Sequence, residues 1–267
     1  TDICGRTLVE VPMAEHADGA YEWDLDALGQ AFARPDVTAF LLCNPHNPTG
    51  SVASPRVLES IAHLAQTHGV AVIADEIHAP LTFDGNSHTP FLTVVPEDAR
   101  AMVVTSSSKT WNTPGLKCAQ VITTRAAGRL LRTSMPMEVT YGTGSLGVIA
   151  SIAAYGDGDE WRAQVLGILD GNRRRLAQLL ADAMPRARYR APDASYLAWI
   201  DMRDCGLGDD PSVGLLDRGR VALSPGPAFG TPGRGFARLN FATSPAILED
   251  AVARIAGAAV AATTANP

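Results

Sequence analysis

Three uninterrupted apolar runs stand out along the first half of the chain: TAFLLC at 38–43, VAVIA at 70–74 and AMVVT at 101–105. Short apolar runs without polar alternation predict buried strands covered on both faces, as in a parallel sheet. Between the first two, Ser54 and Pro55 offer a helix N-cap and first turn. Leu58, Ile61, Ala62 and Ala65 then recur at helical spacing, and Gly69 ends the helix. A strand, a crossing helix and a second strand make a βαβ unit, which implies a parallel sheet. Upstream, TLVEVP at 7–12 predicts another strand, Asp18 and Gly19 a turn, and residues 24–33 a short helix with Leu25, Leu28 and Phe32 on one face. Downstream, KCAQVIT at 117–123 predicts an antiparallel edge strand and residues 128–133 a short helix. Gly142 and Gly144 open a small-residue helix through Ser151 to Tyr155.

The pattern changes after a break at 157–159. Val165, Ile168, Leu169, Leu176, Leu179 and Leu180 give residues 161–184 the character of one long helix, read as a connector between domains. Short strands are expected at 186–190, 196–202, 221–223 and 236–241. Ser244 and Pro245 then start a last helix with Leu248, Val252, Ile255 and Ala259 on one face. The expected fold class is α/β. A large, mostly parallel-sheet domain spans 1–155, a connecting helix 156–185 and a small C-terminal α+β domain 186–267.

Polar clusters leave the C-terminal ends of the three predicted parallel strands. NPHNPTG at 44–50 follows the first, Asp75, Glu76, Ile77 and His78 the second, and SSSK at 106–109 the third. Ligands of open α/β sheets bind beyond the carboxyl ends of the strands. The three clusters are therefore expected to converge on one edge of one sheet.

Composition narrows the partners. The 267 residues are 46% apolar and 19% charged, enough for a large core, and the net charge of −6 argues against nucleic acid or an anionic membrane surface. No signal peptide and no bilayer-length apolar stretch is evident, which makes the cytoplasm the default location. Cys4, Cys43, Cys118 and Cys205 have neither metal-ligand nor disulfide-framework spacing, and Cys43 and Cys118 are expected as buried thiols. The basic residues are the most telling. Of 22, only Lys109 and Lys117 are lysines, and both fall in SSSKTWNTPGLKCA at 106–119. Arginine stays protonated at any working pH, whereas a lysine amine can lose its proton and attack a carbonyl to form a Schiff base.

Lys109 (amine), Asp75 (carboxylate) and Asn47 (amide) would thus meet at strand ends, with hydroxyls at Ser106 and Ser108 and a second cation at Lys117. The set suits an aromatic aldehyde cofactor that carries a phosphate. Lys109 would hold the aldehyde, Asp75 would keep a ring nitrogen protonated, Asn47 would reach a ring oxygen, and Ser106, Ser108 and Lys117 would bind the phosphate.

These residues carry a family resemblance. S-x-S-K-x-x-x-x-x-G-x-K from Ser106 to Lys117, with NPTG and DEIH at the expected separations, resembles the pyridoxal-phosphate-dependent, fold-type I aminotransferase class I/II superfamily. Lys117 stands where that signature usually has Arg. LLCNPHNPTG, ADEIHAPLTF, HTPF, YLAWIDMR and FARLNFATSP are similar to the cystathionine β-lyase (MalY/PatB-type C–S lyase) group of that superfamily, and His78 stands where many aminotransferases have Tyr.

The resemblance implies the aspartate-aminotransferase-like fold and pyridoxal 5'-phosphate as cofactor. It makes Lys109 the Schiff-base lysine and Cα proton shuttle, and Asp75 the pyridine-nitrogen partner. Asn47 and His78 fall on the ring-hydroxyl side, and Arg238 becomes the clamp on the substrate α-carboxylate. It also implies a small-molecule amino acid substrate and, for the intact form, a homodimer. Family chains carry a substantial part ahead of the segment resembling residues 1–12, so a fragment or a short form is expected. A C–S β-lyase, an aminotransferase and a non-catalytic cofactor-binding regulatory module all remain open. His46, His63, His68 and His88 are expected to be solvated or structural, and Trp111 is either a pocket wall or core.

Overall fold

The computed structural model describes residues 5–264, and Cys4 lies outside them. The chain divides into two compact units: Thr1–Ala14, Glu22–Pro45 and Val52–Gln164 in one, and Glu15–Tyr21, His46–Ser51 and Val165–Pro267 in the other. The two-residue strands β1 (Ala14–Glu15) and β2 (Tyr21–Glu22) form a small ladder.

In the first unit, Asp24 caps α1 (Leu25–Phe32) by accepting the Ala27 N–H at 2.8 Å. There follow β3 (Ala39–Cys43), α2 (Pro55–His68), β4 (Ala71–Asp75), β5 (Ala101–Thr105) and β6 (Gln120–Thr123). Ser54 caps α2, Pro55 opens it, and Gly69 closes it in the left-handed conformation at φ 69°, which a side chain would strain. The strand order is β3-β4-β5-β6; β3, β4 and β5 are parallel and β6 runs antiparallel at the edge. α3 (Arg125–Ser134), α4 (Met137–Tyr141) and α5 (Ser145–Asp157) complete this unit, and α6 (Asp159–Ala183) begins in it and continues as part of the second from Val165.

One face of this sheet is buried. Leu42, Val72, Ala74, Ala101 and Val103 pack against Leu28 and Phe32 of α1 and Leu58, Ile61 and Ala65 of α2. Strand alternation puts Leu41, Ile73, Asp75 and Val104 on the opposite face. Leu41 there is 65% exposed, so the expectation of strands covered on both faces fails for β3: the α1–α2 layer lies on one side only.

The second unit holds β7 (Leu197–Asp201), α7 (Pro211–Gly219), β8 (Ser224–Pro225), β9 (Phe236–Asn240) and α8 (Pro245–Thr264). The sheet is antiparallel in the order β7-β9-β8. Its core includes Leu197, Ile200, Leu215, Leu239, Phe241, Leu248, Val252 and Ile255, with Leu169, Leu176 and Leu180 of α6 also buried.

Several local expectations change. Residues 7–12 form no strand, because among the described residues their backbone finds no ladder partner. Residues 186–190 contribute one bridge, Arg188 to Asp201, and the strand expected at 221–223 is displaced to Ser224–Pro225, where the register with β9 closes. The edge strand starts at Gln120 rather than Lys117, since Lys117 adopts φ 51° and ends a short turn. Cys43 and Cys118 are only half-buried, one at a strand end and the other just before the edge strand. Among the described residues no helix is long and apolar enough to cross a membrane.

Candidate active site

In the first unit the parallel register brings the strand ends together. Cys43 pairs with Asp75, and Asp75 with Val104. Past the strands, Asn44 N–H donates to Asp75 O at 3.0 Å and Glu76 N–H to Val104 O at 3.0 Å. The Asp75 side chain is exposed on the sheet face away from α1 and α2, and its Oδ1 accepts the Ile77 N–H at 3.0 Å. Glu76 turns the other way and is buried. Its Oε1 accepts the Phe91 N–H at 2.6 Å, and its Oε2 lies 3.2 Å from His88 Nε2. This buried pair ties the segment beginning at His78, itself buried, back to the strand end. His88, expected to be solvated or structural, is half-buried beside Glu76.

Lys109 follows β5 in a series of turns and is half-buried. Ser106 Oγ donates to Cys118 O at 2.6 Å and lies 2.9 Å from Ser108 Oγ. The two hydroxyls are thus hydrogen-bonded to each other, and Ser106 Oγ also accepts the Ser108 N–H at 3.1 Å. Lys117, at the end of the same segment, is exposed.

Distant residues brace this segment. Ser107 Oγ lies 3.0 Å from Ser151 Oγ, with both side chains buried. Trp111 Nε1 donates to Gly158 O at 3.0 Å and packs edge-on against Tyr155 at 5.0 Å, and Trp161 Nε1 donates to Thr110 O at 3.2 Å. Trp111 is thus a strut for the lysine segment. Ser151, Gly158 and Trp161 carry no motif, and nothing short of the tertiary contact reveals them.

The remaining expected residues belong to the second unit. Gly50, at φ 71°, packs so closely on Pro192 that an added Cβ would fall 2.2 Å from the Pro192 Cβ. Its carbonyl accepts the Asp193 and Ala194 N–H groups, each at 3.1 Å. His46 Nδ1 lies 2.9 Å from Thr49 Oγ1, and burial pulls the His46 pKa down to about 4. The unfolded chain binds this proton near pH 6.5 and the folded chain only near pH 4. Stability is therefore fully present above pH 6.5 and falls as pH drops toward 4, by about 3 kcal/mol from this group. Urea titrations across that window on wild type and His46→Gln test it: the variant should lose much of the slope, and an unchanged slope refutes the assignment.

Arg238 occupies the middle strand β9, in register with Trp199 of β7 and Ser224 of β8. Its Nη1 donates to Asn47 Oδ1 at 2.8 Å and its Nη2 to Ser224 Oγ at 3.0 Å. Its guanidinium carbon lies 4.7 Å from the Phe229 ring centroid. Arg34, Arg125, Arg203 and Arg234 each meet a carboxylate, but among the described residues no carboxylate lies at ion-pair distance from Arg238. Half-burial without an anion lowers its pKa below the ordinary guanidinium value. A half-buried, unneutralised cation held by neutral acceptors is suited to receiving a carboxylate.

The donor set fits pyridoxal phosphate. An open-face carboxylate ends β4, an amine follows the adjacent β5, and two hydroxyls and an ammonium lie on the lysine segment, the donor types that bind a phosphate. Among the described residues, no cluster of His, Cys, Asp or Glu is placed to hold a metal ion.

Residues 2–255 match the family model described as aminotransferase class I and II. A Mycobacterium leprae protein provisionally named cystathionine beta-lyase is 42% identical over 276 residues, covering 96% of this chain and 67% of its own. Cystathionine beta-lyase PatB of Bacillus subtilis is 36% identical, covering 95% of this chain and 66% of its own. The solved PLP-bound C–S lyase from Staphylococcus hominis superposes with a TM-score of 0.88 at 28% identity, over 94% of this chain and 66% of that one. The chain thus spans about two thirds of the length of these relatives.

Proposed function

Because the chain belongs to the aminotransferase class I and II family and has its PLP-dependent fold, we propose that it works as a C–S β-lyase, releasing a thiol, pyruvate and ammonia from cystathionine or another cysteine S-conjugate. The observation that carries this is the placement of Asp75 at the end of β4 and of Lys109 just past the adjacent parallel strand β5. The C–S lyase relatives favour elimination over transamination.

Pyridoxal phosphate, when bound, supplies an electron sink for the pair left at the substrate Cα. Lys109 would hold the cofactor's aldehyde carbon, and its neutral amine would take the substrate Cα proton as general base. Asp75 keeps a proton on the pyridine nitrogen by its negative charge. Asn47 and His78 serve the ring-hydroxyl side, and Ser106, Ser108 and Lys117 bind the phosphate. Arg238 takes the α-carboxylate, which neutralises its half-buried charge.

Incubation of the purified chain and cofactor with cystathionine tests this, with pyruvate, thiol and ammonia assayed together. Equimolar release is the expected result. A keto acid that keeps the substrate's sulfur, formed without pyruvate, would assign an aminotransferase instead. Tight cofactor binding with no product of either kind would assign a non-catalytic module.

A further inference from the structure

We propose that Phe229 is a positioning residue for the substrate carboxylate, acting through the guanidinium of Arg238. The carboxylate-binding role given to Arg238 above is the premise.

Three aromatic rings form a row along one face of the small sheet. Phe236 stacks on Trp199 with centroids 4.9 Å apart and planes at 8°, and Trp199 meets Phe229 edge to face at 5.5 Å and 77°. An arginine lies over each end of the row: Arg203 is 4.7 Å from the Phe236 centroid, and Arg238 is 4.7 Å from that of Phe229. The two ends differ in charge balance. Arg203 donates to Asp201 at 2.9 and 2.8 Å and to Glu15 at 2.7 Å, and its hydrogen bond to Asp201 raises its pKa. Arg238 donates to the neutral oxygens of Asn47 and Ser224, and among the described residues no carboxylate lies at ion-pair distance from it. The Arg203 end is a completed structural ion pair, and the Arg238 end is the same arrangement with its anion still to come.

Phe229 suits this task because of what it leaves unused. A ring face attracts a guanidinium without consuming any N–H. Asn47 and Ser224 take one hydrogen from each terminal nitrogen of Arg238. One more on each remains, the pair a carboxylate can accept in bidentate fashion. Phe229 closes a short turn, Gly226–Phe229, whose backbone is held hard against a second turn. A Cβ on Gly226 would fall 2.1 Å from Gly233 O, so the ring is mounted on a stiff support. Trp199 braces its other side.

The test uses the full chain and two readouts. The first is the affinity of 3-(methylthio)propionate, measured by calorimetry. This probe keeps the carboxylate and sulfur of a cysteine S-conjugate but lacks the amine, so its binding needs no turnover. The second is the split between KM and kcat for a cysteine S-conjugate. Phe229→Leu keeps apolar bulk but removes the ring face. It should weaken probe binding about tenfold and raise KM by a similar factor, the scale of a partly desolvated cation–ring contact. It should leave kcat within about twofold, since the contact is made equally before and during the chemical step. Phe229→Tyr should restore both values.

Wild-type probe affinity and KM in Phe229→Leu, with binding lost in Arg238→Ala, would overturn the role of Phe229 and leave the premise standing. Probe affinity retained in Arg238→Ala, or absent from the wild type, would overturn the premise itself. A Phe229→Tyr variant as impaired as Phe229→Leu, with both melting early, would show that the ring only fills space.

Discussion

On the proposed β-lyase reading, replacing Lys109 by arginine should lower the rate of pyruvate release by about 10³-fold or more, the scale set by losing a positioned proton-transfer group. The substitution keeps a long cation in a half-buried position, so the fold should be retained. What is lost is the ability to exist as a neutral amine, since a guanidinium stays protonated at any working pH. The covalent readout is independent of turnover. Borohydride reduction should leave the cofactor's mass on the Lys109 peptide of the wild type and on no peptide of the variant. Labelling of Lys117 in both proteins would reassign the nucleophile, and an arginine variant with a tenth of wild-type activity would remove Lys109 from the chemistry. The neighbours of Lys109 add a graded expectation. Trp161 and Ser151 touch the segment but not the amine, so substitutions there should act through its placement and leave the borohydride label on Lys109.

The strand ends around Lys109 were legible in the sequence because their signals are local. Ser54, Pro55 and Gly69 mark the limits of α2 by cap chemistry, and the apolar runs on either side form the strands β3 and β4. The antiparallel sense expected of β6 agrees with its register against β5. What escaped depends on residues far apart in the chain. Ser107 meets Ser151 across 44 positions, and Trp161 reaches Thr110 across 51. TLVEVP has strand-like composition, but a strand exists only where a partner accepts its hydrogen bonds, and no such partner is present among the described residues. An apolar run also cannot say how many layers cover it, which is why Leu41 emerged exposed. The aromatic row beneath Arg238 draws on three separate segments, and only the β7–β9–β8 register aligns them.

Asp75→Asn should cost on the order of 10²–10³-fold in kcat, comparable to removing a single preorganised electrostatic partner from an active site. The change is close to isosteric. An asparagine oxygen can accept the Ile77 N–H as Asp75 Oδ1 does at 3.0 Å, so the turn after β4 should persist. With Asp75 exposed and its fold-holding bond reproduced, the melting temperature should stay within about 2 °C of wild type. The lost property is the negative charge. A carboxylate facing a pyridine nitrogen favours its protonated form, and the protonated ring is the better electron acceptor; a neutral amide supplies neither effect. Asp75→Glu restores the charge on a longer arm and should recover part of the activity, which separates charge from shape. Glu76, one residue on, is the internal control. Its carboxylate is buried against Phe91 N–H and His88 on the other side of the strand end. Glu76→Gln should therefore lower stability far more than it lowers kcat, the reverse of the pattern at Asp75. If Asp75→Asn keeps a third or more of wild-type kcat, the open-face carboxylate has no electrostatic part in the reaction, and the ring nitrogen must find its partner elsewhere in the chain.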